Sequence, residues 1–180
     1  MKKHILLLFL LFSIVTFSQK KEMAENFWKG DYDKTIEIGK HILETEPNDF
    51  ETILFIARAE DEKGNFKNAI PFLDNAKKLM SEDWQKSWTF LEFAKNSFGI
   101  GKFDDAKLFY NEAVKIKGTK NSEKELKKFG MLTGLDEFYK NWKTKETQNI
   151  IFHYENSINE NDIERITKTR QIAFEQINAF

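Results

Sequence analysis

The chain has 180 residues, with 28 Lys plus Arg against 29 Asp plus Glu, a formal net charge of -1, 41% hydrophobic residues and no cysteine. A charge balance this near zero provides no field for phosphate backbones and excludes a dedicated nucleic-acid binder. The missing thiol excludes disulfides, Cys-ligated metal centres, a cysteine nucleophile and a lipid anchor on an N-terminal cysteine, and the length suits one domain or one and part of another.

At the N-terminus Lys2 and Lys3 precede Ile5 to Phe17, a stretch that is apolar except for Ser13 and Thr16, and a strongly charged segment follows. This is the layout of a secretory signal peptide over residues 1–18, with small or hydroxylated Thr16 and Ser18 placing the cut before Gln19. The apolar stretch is well short of the roughly 20 residues a membrane-spanning helix needs, so no stable membrane anchor is expected after cleavage. The expected destination is export, to the periplasm or the medium.

Three segments then align: Gly30-Asp-Tyr-Asp-Lys-Thr35, Gly64-Asn-Phe-Lys-Asn-Ala69 and Gly101-Lys-Phe-Asp-Asp-Ala106. The first two are 34 residues apart and the last two 37, which implies a short insertion near Trp84 to Lys86. Within a unit, Ile53, Ile56, Ala57 and Glu60 have helical spacing, and Gly64 ends that helix where a left-handed residue is cheap. Phe66, Ala69, Ile70, Leu73 and Ala76 mark a second amphipathic helix. Each unit therefore reads as a helical hairpin, with Ala69 and Ala106 allowing close helix approach and Tyr32, Phe66 and Phe103 filling the space above each turn. Asn48 with Glu51 forms the pattern of a capping box, and Pro71, one turn inside its helix, predicts a local kink.

The turn glycine, the aromatic two residues later, the small residue three further on and Pro47 together resemble tetratricopeptide repeats, three of them over residues 20–118. Thr35 and Gly39 depart from the pattern at positions where alanine and an aromatic are usual. The resemblance implies a groove lined by the first helix of each pair, in which a peptide or protein segment is held. On this chain those positions pair Leu54 with Leu91 and Arg58 with Lys95, with Trp88 on the same face. They form a candidate peptide-binding surface, suited to an acidic partner or a C-terminal carboxylate. The alternative is an ordinary solvated face in which the cations pair with nearby acids such as Glu62 and Glu92.

His4, His41 and His153 have no metal-binding spacing, and no nucleophile motif or phosphate-cradling loop occurs, so no catalytic residue, metal or cofactor is expected. Glu60, Asp61 and Glu62 read as a solvated helix end.

After the repeats, Ser122-Glu-Lys-Glu125 reads as the start of a capping helix carrying Leu126, Phe129, Leu132, Leu135 and Phe138, weakened at Gly130 and Gly134. Beyond Trp142, Ile150, Phe152 and Tyr154 alternate with Ile151 and His153 in the period of a strand, and Asn161 to Glu164 opens a helix with Ile163, Ile166, Ala173, Ile177 and Phe180 on one face. A lone strand leaves its backbone unsatisfied, so this segment reads as the start of an incomplete second domain or as one partner in a dimer. The stretch from Trp142 to Tyr154, with the following helix bearing Arg170 and Phe174, resembles the opening of peptidase-MA-like gluzincin metallopeptidase domains. The HExxH helix of that family is absent from the sequence and His153 matches no ligand of it, so no catalytic role carries over.

The expected architecture is thus all-α: a signal peptide over 1–18, a helical-hairpin solenoid with a capping helix over 19–141, and a strand–helix segment over 142–180. The expected function is that of an exported, non-catalytic scaffold for a protein or peptide partner. The alternative is the substrate-recruiting part of a longer zinc metallopeptidase.

Overall fold

Glycines punctuate the first two thirds of the chain where the sequence places the turns. Gly30, Gly64 and Gly101 have φ of 80°, 76° and 77°, a conformation that is cheap only without a Cβ. In the computed structural model, which describes residues 17–179, a helix precedes and follows each of them. Residues 17–29 form α1, followed by α2 (Tyr32–Thr45), α3 (Phe50–Glu62), α4 (Phe66–Leu79), α5 (Asp83–Gly99), α6 (Phe103–Val114) and α7 (Lys120–Thr133). The expected leader lies mostly on residues 1–16, outside the described residues.

Helices α1/α2, α3/α4 and α5/α6 are three consecutive hairpins, and α3 also packs on α5. Small residues set the spacing, as their sequence positions require. Ala57 and Ala69 are fully buried where α3 meets α4, and Leu73 and Phe93 close over them. Gly39, where an aromatic was the usual residue, sits against α3 so closely that a Cβ there would lie 2.7 Å from Ile56 Cγ1. Ile56 thus fills the space a larger side chain on α2 would need. Phe103 differs from its expected role: it edges onto Phe98 at 5.2 Å but remains exposed. Helix α4 continues unbroken through Pro71.

Two helix starts differ from the capping rule. Helix α3 begins at Phe50 with Asp49 as N-cap, and no cap side chain accepts from its first turn. The reason is a long-range competitor: Lys20 Nζ lies 2.8 Å from Asp49 and 2.6 Å from Glu46, pinning α1 to the α2–α3 turn. Helix α7 begins two residues before Ser122, with Thr119 Oγ1 accepting from the Ser122 amide at 3.1 Å. Ser122 is fully buried, and its hydroxyl instead accepts from Ser87 Oγ on α5 at 3.0 Å. With Leu126 buried and Phe129 edge-on to Phe98, α7 covers the third hairpin.

The described chain divides into two compact units, the first ending at Phe129 and the second beginning at Gly130. In the second, α7 stops at Thr133 before Gly134, whose φ is 74°. The strand Ile151–Tyr154 (β2) is not alone: Lys143–Glu146 (β1) pairs with it antiparallel, Lys143 opposite Tyr154 and Glu146 opposite Ile151. Its partner escapes a periodicity reading because Lys-Thr-Lys-Glu carries no apolar residue. Helix α8 runs Glu160–Asn178, capped by Asn159, whose side chain accepts from the Asn161 amide at 2.8 Å. Thr147 Oγ1 donates to Gln171 Oε1 at 2.8 Å and Lys143 pairs with Glu160 at 2.8 Å, while Tyr154 of the hairpin and Ile163 of the helix are buried.

Candidate functional site

The first helices of the three hairpins bring a cluster of rings and charges to one surface of the repeat array. Its centre is Arg58 on α3, which is 8% exposed. The guanidinium carbon lies 4.7 Å from the Phe27 ring centroid and 4.6 Å from that of Trp88, with Trp28 and Phe55 at 5.6 and 5.7 Å. A weakly hydrated, planar cation is well suited to stacking between several rings at once. Its Nε lies 3.1 Å from Glu92 Oε1 on α5, yet the N–H is not aligned for a hydrogen bond, so the contact is a close ion pair only. Glu92 is 1% exposed, and Lys95 Nζ approaches the same carboxylate at 3.4 Å. One buried acid therefore serves both cations.

Below this cluster, Asp61 closes the end of α3. Its Oδ1 accepts from Asn96 Nδ2 at 2.6 Å, and the same amide nitrogen donates to the Phe66 carbonyl at 2.7 Å, which ties α3, α4 and α5 together. Asp61 Oδ2 is buried with no hydrogen-bond partner among the described residues. Burial pushes this carboxyl up to about 7, with Glu92 and Glu62 adding to the rise and Asn96 and Lys95 opposing it. It is therefore not the solvated helix end that the sequence suggests.

Two cavities open on either side of Arg58. One, of about 160 Å³, is lined by Trp28, Glu51, Leu54, Phe55, Arg58, Trp84 and Trp88. The other, of about 360 Å³, is lined by Phe27, Trp28, Lys29, Gly30, Tyr32, Arg58, Glu62, Lys95 and Glu125. Trp28 and Arg58 belong to both, so the two form one groove. Leu54, Arg58, Trp88 and Lys95 stand on its walls, whereas Leu91 is fully buried and offers no surface to a ligand.

Sequence reasoning missed Trp28 and Trp84. Trp28 is 69% exposed and contributes to both cavities, but it stands on a helix whose start the expected leader appropriates. Trp84 stands where the repeat offset changes. The available signal was tryptophan count: three of the chain's four tryptophans meet here.

In the second unit an open cavity of about 590 Å³ lies beside the stacked rings of Tyr139 and His153, 5.1 Å apart. No set of three or more His, Cys, Asp or Glu among the described residues is placed to hold a metal ion. No described helix is long and apolar enough to cross a membrane. What the groove offers is apolar area, stacking faces and fixed charge, the ingredients of recognition.

No protein-family model matches the sequence, and no curated protein matches it. Solved structures do match. The first TPR domain of the human RPAP3 protein superposes with a TM-score of 0.54 at 18% identity, covering 69% of this chain and 97% of that one. The Sgt2 TPR domain from Aspergillus fumigatus gives a TM-score of 0.53 at 14% identity, covering 75% of this chain and 89% of that one. The repeat array has the TPR fold.

Proposed function

We propose that this chain is a non-catalytic scaffold whose α1–α3–α5 groove holds a segment of a partner protein, with an apolar side chain of that segment seated among Trp28, Trp84 and Trp88. The observation that supports this reading is Trp28. Trp28 meets the edge of Phe27 and one face of Arg58, yet it stays 69% exposed beside two further tryptophans and an apolar cavity, so most of its stacking surface is in water. Trp28→Ala tests it, since truncating an exposed side chain spares the core. The variant is expected to melt with the wild type and to lose capture of the partner by the immobilised chain. Full capture by a folded variant places the site elsewhere. Replacing Arg58 with glutamate is a poorer test, because it sets a second carboxylate against buried Glu92 and is expected to destabilise the array itself.

Export belongs to the same proposal. Lys2, Lys3 and the apolar stretch after them support a leader, and Phe17 is exposed while the first buried side chain of α1 is Met23, so a cut before Gln19 spares the core. Mass spectrometry of the mature protein should then find Gln19 at the N-terminus, and Met1 there would overturn the reading. A second reading, recruitment of substrate for a gluzincin-like catalytic region, draws on the exposed Ile166, Phe174 and Ile177 of α8, a face that a further layer would cover. A reading frame that continues past codon 180 into an HExxH helix would support it.

A further inference from the structure

We infer that the segment held in the groove is basic rather than acidic: an apolar or aromatic anchor flanked by lysine or arginine, seated against Trp28 with its cations facing Glu51, Glu62 and Glu125. The inference rests on the groove reading above and specifies its ligand, in place of the acidic partner expected from Arg58 and Lys95 as sequence positions.

Charge pairing within the groove decides which side chains remain available to a ligand. Arg58 and Lys95 already share Glu92, and Arg58 is enclosed between the rings of Phe27 and Trp88. An incoming carboxylate gains their full attraction only by drawing them away from Glu92, which is 1% exposed and would be left as an unpaired buried charge. That penalty is the large one in buried ion clusters. The other charged side chains lining the groove are Glu51, Glu62 and Glu125 against Lys29, and none of the three acids has an ion-pair or hydrogen-bond partner through its carboxylate among the described residues. Counted with Glu92, the groove holds four carboxylates against three cations, so its net charge is acidic by one although two cations stand at its centre, and its unpaired carboxylates are the ones a ligand can reach. Trp28 adds to the same preference, because its exposed face attracts a cation, and among the described residues the one cation placed over its ring, Arg58 at 5.6 Å, is shared with other rings. A basic residue beside an apolar anchor meets the ring and the carboxylates at once. An acidic residue there meets three like charges.

Three synthetic peptides of equal length test this: acetyl-Gly-Lys-Gly-Phe-Leu-Gly-Lys-Gly-amide, the same peptide with glutamate for lysine, and the same with serine. Binding to the whole chain is followed by its tryptophan fluorescence, at low and high salt. The lysine peptide is expected to bind about tenfold more tightly than the serine peptide and the glutamate peptide more weakly than either, with the differences collapsing at high salt. The double variant Glu62→Lys and Glu125→Lys, both on solvent-accessible side chains, is expected to invert the order while keeping its melting temperature. Glutamate binding as tightly as lysine, or no difference between lysine and serine, overturns the basic preference but leaves the groove reading in place. If none of the three binds, the groove reading fails and this inference fails with it.

Discussion

In α4 the stripe of Phe66, Ala69, Ile70, Leu73 and Ala76 buries Ala69, Leu73 and Ala76 fully and leaves Phe66 and Ile70 half-buried. In α8 a stripe of the same kind buries Ile163 and leaves Ile166, Phe174 and Ile177 at 40% exposure or more. Both helices are amphipathic, so periodicity decides that each forms but not whether its apolar face is covered. In the array, coverage comes from the neighbouring hairpin, which presents the same small and large residues at the same offsets. In the second unit, a two-stranded hairpin of which one strand is Lys-Thr-Lys-Glu offers little apolar surface to pack against. The repeats therefore draw their stability from stacking, and the C-terminal helix draws its own from a few polar ties and a short apolar contact.

Leu73→Ala should show the contrast most strongly. It opens a cavity between α3, α4 and α5 and is expected to cost about 2 to 5 kcal/mol in denaturant unfolding of the array. Ala69→Leu comes next, at about 1 to 3 kcal/mol, because it overpacks the contact with Ala57. A loss within error at Ala69 would mean that the repeat register is misplaced.

Asp61 supplies a pH-dependent test within the array. Its carboxyl is raised to about 7, so the folded state holds the proton more tightly than the unfolded chain does. The stability this contributes is fully present below the ordinary carboxylate range and is lost as the pH rises through about 7. Asp61→Asn, which keeps an acceptor for Asn96, is expected to leave stability near pH 4 unchanged and to raise it near pH 8 by on the order of 1 kcal/mol, discounted for partial solvent access. Thermal melts across that range check it, and parallel curves for variant and wild type would remove the strain assigned to this carboxylate. The smallest effect belongs to α8: Ile177→Ser, at a side chain 74% exposed, should fall within about 0.5 kcal/mol. If it costs as much as Leu73→Ala, the two regions do not differ as described.

What the sequence disclosed follows the same division. Gly30, Gly64 and Gly101 were legible because a left-handed turn strongly favours one residue type, and Ala69 because close helix approach favours small ones. Features set by distant partners were not. Asp49 takes over the cap expected of Asn48 while its carboxylate pairs with Lys20 on α1, and β1 pairs through backbone that leaves no mark in Lys-Thr-Lys-Glu. At the groove, the positions of Arg58 and Lys95 were legible and Glu92 was a named neutralising neighbour. That this one carboxylate is buried and serves both cations needed three dimensions, as did the convergence of Trp28 with Trp84 and Trp88.

The central claim is that the array's groove, and not the second unit, receives the partner. The chain's four tryptophans make this directly observable, since Trp28, Trp84 and Trp88 line the groove and Trp142 lies in the other unit. The most direct measurement follows the four indole N–H resonances of the isotope-labelled protein as the lysine-flanked Phe-Leu peptide is added. Shifts at Trp28, Trp84 and Trp88 with Trp142 unmoved are the predicted result. A shift at Trp142 with the other three unmoved would contradict the account.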